Sequence, residues 1–376
     1  MTESVAPGIG DEILGKTRRA MLEQGLDALV ATSPENMAYV SGAISPSQKA
    51  VRSRLAAAIV PLEGETEVVT IGIDGPVVAS QSRLDSIRTY QEFVEDPVEV
   101  FAASMRERGL SDGLIGIEQT HLSFADHCKL VAALPRAKLV SVDELFSELR
   151  VIKTPTEIES IRDIGESAER IAVEACASFG PSSTEREIAS FIAQRYAEED
   201  ADGLTMLVVG SGPRSSVANA PPTGRALERG DVLRLDIIGT KAHYHSDVAR
   251  TAVVCEPTDE QQRVYDLLLG VHRRCLEALR PGALSSDVYR IYRDAMDAAR
   301  LPPYHFVGHG LGITLHEEPF VNELKSIPLE EGMVLCIEPL TLIEGHFGMQ
   351  IEDEVVITAD GYEPFSEAGA LLRLEG

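Results

Sequence analysis

The sequence predicts an α/β domain over residues 1–150 and an α+β domain over residues 151–376. Three observations predict this. Short β-rich runs alternate with helical spacing in the first 150 residues. A helix-start signature follows near residue 154, and beyond residue 200 strand-like runs dominate, with two long helices between them. Alternating strands and helices indicate an α/β domain, and helices followed by strands an α+β one.

Residues 11–25, DEILGKTRRAMLEQG, carry the 3.6-residue spacing of an amphipathic helix and lead into the strand-like LDALVAT (26–32). AAAIVPL (56–62), TEVVTIGI (66–73), LIGIE (114–118) and AKLVSV (137–142) are further short β-rich runs. DPVEVFAASMRERG (96–109) and HLSFADHCKLVAAL (121–134) read as amphipathic helices. Thr154, Pro155 and Glu157 then supply a cap, a proline in the first turn and a glutamate three after the cap, which open a helix running to about Gly180. Thr184 and Glu187 open a second helix in the same way. The later strand-like runs are TMLVVGSG (205–212), DVLRLDIIG (231–239), HYHSDVARTAVVC (243–255), MVLCIEP (333–339) and MQIEDEVVIT (349–358), with helices expected at 259–280 and 284–299.

Composition excludes several classes of function. The chain has 376 residues, 44% of them hydrophobic, enough for two or three domains with sizeable cores. No apolar run approaches the roughly 18 residues of a membrane span, and the N-terminus has no basic start before an apolar block. The net charge of −26, from 34 basic and 60 acidic residues, repels nucleic acid and anionic membranes and is compatible with cation binding. Five scattered cysteines without a CxxC fit reduced thiols in the cytoplasm.

Chemistry concentrates in the second domain. HFVGHGLGITLHEEP (305–319) holds His305, His309 and His316, three of only nine histidines, threaded with Gly308, Gly310 and Gly312. Each glycine costs about 1 kcal/mol in a helix, so a turn or loop that approaches something closely is expected. A single histidine is commonly an ordinary part-buried residue, so partners are needed. Asp236, Asp247, Glu338 and Glu352 supply them: each lies in a strand-like run, where a carboxylate is expensive to bury unless paired or metal-bound. A hairpin returns Asp236 and Asp247, eleven residues apart, to one region. Four carboxylates and one imidazole balance the charge of two divalent cations and favour Mn²⁺ or a related first-row ion. Two such ions roughly 3.5–4 Å apart lower the pKa of a shared water and polarise a carbonyl.

These pieces resemble the metallopeptidases of the pita-bread fold: Xaa-Pro aminopeptidases and prolidases, with creatinase and methionine aminopeptidase as relatives. The resemblance rests on GDVLRLDIIG, YHSDVARTAVV, HFVGHGLGITLHEEP, LEEGMVLCIEPL and GMQIEDEVVITADGYEPF, in order, and on RVIKTPTEIESIR at the domain start. The first domain resembles the creatinase/prolidase N-terminal domain more loosely, through TSPENMAYVSG. The resemblance implies Asp236, Asp247, His309, Glu338 and Glu352 as ligands of two divalent ions, Mn²⁺ foremost, with Co²⁺, Fe²⁺ or Zn²⁺ as substitutes. Asp247 and Glu352 would bridge both metals. It places His305 and His316 in the substrate pocket, gives Glu338 a second role as proton shuttle, and matches Tyr244 to a pocket tyrosine.

Two positions depart from the family pattern. Gln350 stands where an arginine commonly precedes the last glutamate, and Asn219, in SSVANAPPTGRAL, stands where a pocket histidine is common. Both substitute neutral amides and alter what the pocket can hold, and Asn219, Gln350 and Tyr244 are expected to bind substrate. The implied function is hydrolysis of a C–N bond, foremost the Xaa-Pro bond of a dipeptide or short peptide. The alternative is a creatinase- or ectoine-hydrolase-like amidohydrolase of a small non-peptide metabolite. A non-catalytic binding module is disfavoured by the complete ligand set. The resemblance further implies a homodimer in which the stretch 41–54, with Arg52 and Arg54, borders the other subunit's site; taken singly, each arginine reads as surface charge.

Overall fold

The computed structural model describes residues 9–51 and 53–375; Arg52 lies outside them. The chain divides after Arg150 into two compact units.

The first unit is built on a mixed sheet of β1 (Ala28–Ala31), β2 (Ala57–Pro61), β3 (Glu67–Ile71), β4 (Ser86–Tyr90), β5 (Leu114–Ile117) and β6 (Lys138–Ser141), in the order β4-β3-β2-β1-β5-β6. Its helices are α1 (Ile9–Gln24), α2 (Pro34–Ser41), α3 (Pro46–Ala50), α4 (Gly75–Gln81), α5 (Pro97–Glu107), α6 (Phe124–Ala133) and α7 (Asp143–Val151). The strands β1, β2 and β3 are buried at every position, so β1 and β2 read as continuous apolar runs rather than alternations, while β3 buries Glu67 and Thr70 beside its apolar residues. Val98, Phe101, Ala102 and Met105 of α5 join Val30, Ile59, Val69 and Ile117 in one core. The edge strand β4 is polar and only part-buried. In the stretch 41–54, the Asp74 carboxylate accepts from Ser45 Oγ (2.5 Å) and from Ser47 N and Oγ (2.9 and 2.7 Å). Arg54 makes a two-point pair with Glu92 at 3.0 and 2.8 Å.

The second unit opens at α8 (Pro155–Ser178) and α9 (Glu185–Glu198). Each begins with a reciprocal cap: Glu157 N donates to Thr154 Oγ1 while Thr154 N donates to the Glu157 carboxylate, and Thr184 and Glu187 repeat the exchange. The strands β7 (Gly203–Ser211), β8 (Val232–Lys241), β9 (Tyr244–Val254) and β16 (Leu372–Leu374) form one sheet in the order β16-β9-β8-β7. A second sheet holds β10 (Gly308–Gly310), β11 (Val334–Ile337), β14 (Asp353–Ile357) and β15 (Tyr362–Pro364), in that order, and β12 (Leu340–Ile343) pairs with β13 (Phe347–Gln350). The helices α10 (Asp259–Glu277) and α11 (Ser285–Ala299) lie between β9 and β10 in the chain.

Alternation sorts the side chains onto two cores. In β8, Leu233, Leu235 and Ile237 pack with Ile164 and Ile171 of α8 and Ile188 and Ile192 of α9. In β11, β13 and β14, Leu335, Ile337, Phe347, Met349, Val355 and Ile357 pack with Leu268, Val288 and Tyr292 of α10 and α11. The residues between them, at even numbers in all four strands, project to the opposite face. Arg234, Asp236, Cys336, Gln350 and Glu354 are therefore assigned to the inner face by period alone.

One expectation needs correction. MQIEDEVVIT is not one strand: β13 ends at Gln350 and β14 starts at Asp353. Glu352 lies in the break, and Glu338 lies just beyond the end of β11. Only Asp236 and Asp247 sit within strands. The chain leaves one sheet ladder for another at these two points, which frees each glutamate from the pleat.

Glu185, fully buried at the start of α9, accepts from Ser211 N and Oγ, from Thr223 N and Oγ and from Arg214 Nε. Burial alone would raise its pKa, but the donors from Thr223 and Ser211 overcome this and hold it below the ordinary glutamate value. The charged form is thus the one the fold favours. Its contribution is present above the ordinary glutamate pKa and is lost as pH falls through the lower folded value. Glu185→Gln should cost about 3 kcal/mol at neutral pH, because an amide puts donors against donors. Urea unfolding should show the gap from wild type narrowing as the solution is made acid.

Candidate metal centre

The hairpin β8–β9 brings Asp236 and Asp247 together. Its register pairs Asp236 with Ala249 and Ile238 with Asp247, so the two aspartates are diagonal neighbours on one face. The chain turns at Ala242 and His243, both with positive φ (49° and 72°). From the other sheet, β10 places His309 opposite Cys336 of β11, and Cys336 stands opposite Glu354 of β14. A Cβ at Gly308 would lie 2.2 Å from the Cys336 carbonyl oxygen, and one at Gly310 would lie 2.4 Å from that of Glu318. The glycines flanking His309 are thus required by close backbone approach, and the segment forms a short strand within an otherwise irregular loop.

All five residues named as ligands converge. His309 Nε2 lies 3.3 Å from Glu338 Oε1 and 3.6 Å from Asp247 Oδ2. Donor atoms of Asp247, His309, Cys336 and Glu352 lie within 4.8 Å of one another. Asp236 joins through a side-chain contact with Asp247. The four carboxylates are buried, between 1% and 8% exposed, and each has one oxygen without a hydrogen-bond partner: Asp236 Oδ1, Asp247 Oδ1, Glu338 Oε1 and Glu352 Oε1. Such atoms are costly unless a cation or proton meets them. Burial, and then the neighbouring carboxylates, push Asp247 and Glu352 well above the usual carboxylate range. Asp236 is also raised by burial, with the Arg234 guanidinium pulling the other way. The donor set fits divalent cations: oxygen-rich, with one imidazole and a strong excess of negative charge.

The backbone around the cluster is held from behind. Arg250 Nη1 donates to the Glu352 carbonyl (2.6 Å), and Glu352 N donates to the Ala249 carbonyl (3.2 Å). Arg250 Nη2 pairs with Asp353 at 2.7 Å, and Asp353 also accepts from Ser366 Oγ and Ala368 N. Burial would raise Asp353, but Arg250 and His272 hold it below its ordinary value. Adjacent acids in one IEDE run thus have opposite environments: Asp353 is paired, while Glu352 is aimed at the cluster.

The remaining named residues take varied positions. His316 is exposed, but its ring centroid lies 4.0 Å from that of His309. Partial burial, and then His309, push its pKa down to about 4, so it is neutral at pH 7. His305 is exposed, its ring 5.7 Å from that of Tyr304. Asn219 is exposed on the loop after β7. Tyr244 is buried and donates to Glu157 Oε1 at 3.2 Å, at the start of α8. Gln350 is buried, with its amide directed at Glu338, Glu352 and Arg234.

Three neighbours of the cluster were not singled out by sequence reasoning. Arg234 is 1% exposed. The Cys336 thiol is buried, donates to the Asp247 carbonyl (3.8 Å) and is pushed well up by burial and by the surrounding carboxylates. Glu354 accepts from Asp247 N at 2.6 Å, and burial raises it well above its ordinary value. Each stands two residues from a named ligand, and that spacing was the available signal.

With this geometry in view, comparison with known proteins places the chain. Residues 159–359 match metallopeptidase family M24, and residues 14–152 match the creatinase/prolidase N-terminal domain. The chain belongs to this family of metal-dependent hydrolases. It is 29% identical over 352 residues to the probable dipeptidase PepE of Mycobacterium tuberculosis, covering 91% of this chain and 90% of that protein. It is 28% identical to the Xaa-Pro dipeptidase of Pyrococcus furiosus over 355 residues, covering 93% and 96%. The crystal structure of dipeptidase PepE from Mycobacterium ulcerans matches with a TM-score of 0.83 and 26% identity, over 98% of each chain. Among the described residues no helix is long and apolar enough to cross a membrane.

The unpartnered oxygens make a direct prediction. A divalent cation at 100 times its dissociation constant should stabilise the protein by about 2.7 kcal/mol. Thermal melts with Mn²⁺ and with chelator should separate accordingly. Glu352→Gln, which removes one of the mutually repelling carboxylates, should melt no lower than wild type in chelator and should lose the Mn²⁺-dependent rise.

Proposed function

We propose that this chain is a two-metal peptidase that cleaves the Xaa-Pro bond of dipeptides or short peptides. The observation that carries this reading is the set of four buried carboxylates around His309, each with an unpartnered oxygen. Relatives named as dipeptidases, one of them an Xaa-Pro dipeptidase, support the substrate class.

In this reading Asp236, Asp247, His309, Glu338 and Glu352 would hold two divalent ions. Mn²⁺ is the favoured ion because the donors are mostly oxygen. When bound, the ions supply Lewis acidity toward a scissile carbonyl and acidify an attacking water. Glu338 would also carry a proton from the attacking water to the leaving nitrogen. His316 is neutral and sits beside His309, where a ring N–H can donate to a developing oxyanion. His305 lines the entrance, with Asn219 and Tyr244 as further substrate contacts. The active form is a homodimer in which the stretch 41–54 borders the site of the second subunit. The five free cysteines support a reducing cytoplasm as its compartment.

A panel of Xaa-Pro dipeptides tests the substrate. Free amino acid should be released with Mn²⁺, and chelator should abolish release. If the protein binds metal but is silent across the panel, the substrate is a non-peptide amide of the creatinase or ectoine-hydrolase kind. Asp247→Ala should abolish turnover while circular dichroism shows an intact fold; near-normal turnover in that variant would remove the two-metal mechanism.

A further inference from the structure

We infer that Arg234, acting through Gln350, is a positioning residue for Glu338 and Glu352. Arg234 lies in β8 two residues before Asp236, and Gln350 ends β13 two residues before Glu352. Both project to the inner face, and both are buried, at 1% and 3% exposure. A guanidinium buried this deeply must be fully bonded to be tolerated. Its Nε donates to the Ser215 carbonyl at 3.0 Å. Its Nη2 donates to the Val217 carbonyl at 2.6 Å and to that of Ala218. Nη1 is left to face the cluster: it donates to Gln350 Oε1 at 2.7 Å and lies 3.8 Å from Asp236 Oδ2. The loop carbonyls hold the guanidinium so that it cannot turn away.

This contact fixes the polarity of the Gln350 side chain. Arginine only donates, so the amide oxygen must face it. The amide nitrogen is then turned the other way, where it donates to Glu352 Oε2 at 3.1 Å and to Glu338 Oε2 at 3.4 Å. Those bonds occupy one oxygen of each glutamate and leave the unpartnered Oε1 atoms free to meet a cation. The Gln350 main chain is held as well: its N–H donates to Thr251 Oγ1 (2.9 Å), and Thr251 Oγ1 donates to its carbonyl (2.8 Å). An arginine at position 350 would bring a full charge directly onto the glutamates. Here the charge stands one side chain back, and only a neutral N–H₂ touches them.

The inference rests on the reading that the cluster binds metal, and calorimetric titration of the chelator-treated full chain with Mn²⁺ separates the two. Gln350→Met keeps the side-chain length and removes the relay. It should weaken Mn²⁺ binding by about 10- to 100-fold, the usual effect of losing a group that orients ligands. Arg234→Met should weaken binding too, and the double variant should be no weaker than the worse single variant, because both act through one path. Urea midpoints measured on the same samples distinguish positioning from loss of stability alone, which would lower the midpoint and leave the dissociation constant unchanged. If Arg234→Met does not fold, Gln350→Met decides alone. Wild type that binds no Mn²⁺ would overturn the metal reading and the relay with it. Wild type that binds Mn²⁺ while Gln350→Met binds within twofold of it would overturn the relay only.

Discussion

The second unit is organised around an electrostatic problem: four carboxylates share one buried volume, and the protein supplies too little positive charge to match them. Arg234 is the cation nearest Asp236, at 3.8 Å, and it reaches Glu338 and Glu352 only through an amide. Removed from water and from one another's compensation, these carboxylates cannot all ionise, which is why Asp247 and Glu352 are raised well above their usual range. Divalent cations resolve the conflict. The membership of family M24 and the unpartnered oxygens point to the same resolution from independent directions.

Much of the surrounding architecture serves to bring these groups together without leaving other polar atoms stranded. Strand alternation sends leucines and isoleucines outward to two helix-covered cores and turns Asp236 inward. Strand breaks at Glu338 and Glu352 let two glutamates reach the same volume from different ladders. Glycines at 308 and 310 let the His309 strand lie against neighbouring carbonyls. Arg250 ties the Glu352 backbone to β9 and gives Asp353 a partner on the far side. The sorting within IEDE is the clearest case, since one residue of chain advance separates a paired acid from one aimed at the cluster.

The elements with strong local signals were legible from sequence. The capping boxes at Thr154 and Thr184 stand where the residue spacing placed them, because a cap is a local interaction. The strand β4 was missed because it is a polar, part-buried edge with no apolar period. α2 lies in the TSPENMAYVSG motif, and its eight residues are too few for periodicity to mark. The break at Ile351–Glu352 was invisible for a different reason: a change of ladder depends on the partner strands, and no local pattern records it. At the centre, the five residues named from the resemblance converge, but Arg234, Cys336 and Glu354 were passed over. Arg234 reads as an ordinary charge in VLRLDIIG until the two-residue period from Asp236 is applied. Gln350 read as a loss of charge relative to the family pattern; the charge beside the cluster is instead supplied by a residue 116 positions earlier in the chain.

The function follows from this economy. In the proposed function, ions held by buried carboxylates with unpartnered oxygens polarise an amide beside the exposed His316, whose ring lies 4.0 Å from that of His309. Whether the carboxylate cluster holds a pair of divalent ions is measured most directly by electron paramagnetic resonance during addition of Mn²⁺ to chelator-treated protein. With a paired site, the six-line signal of free Mn²⁺ should stay suppressed until two equivalents per chain have been added, with features of an exchange-coupled pair in its place. A free-ion signal growing from the first addition would contradict it.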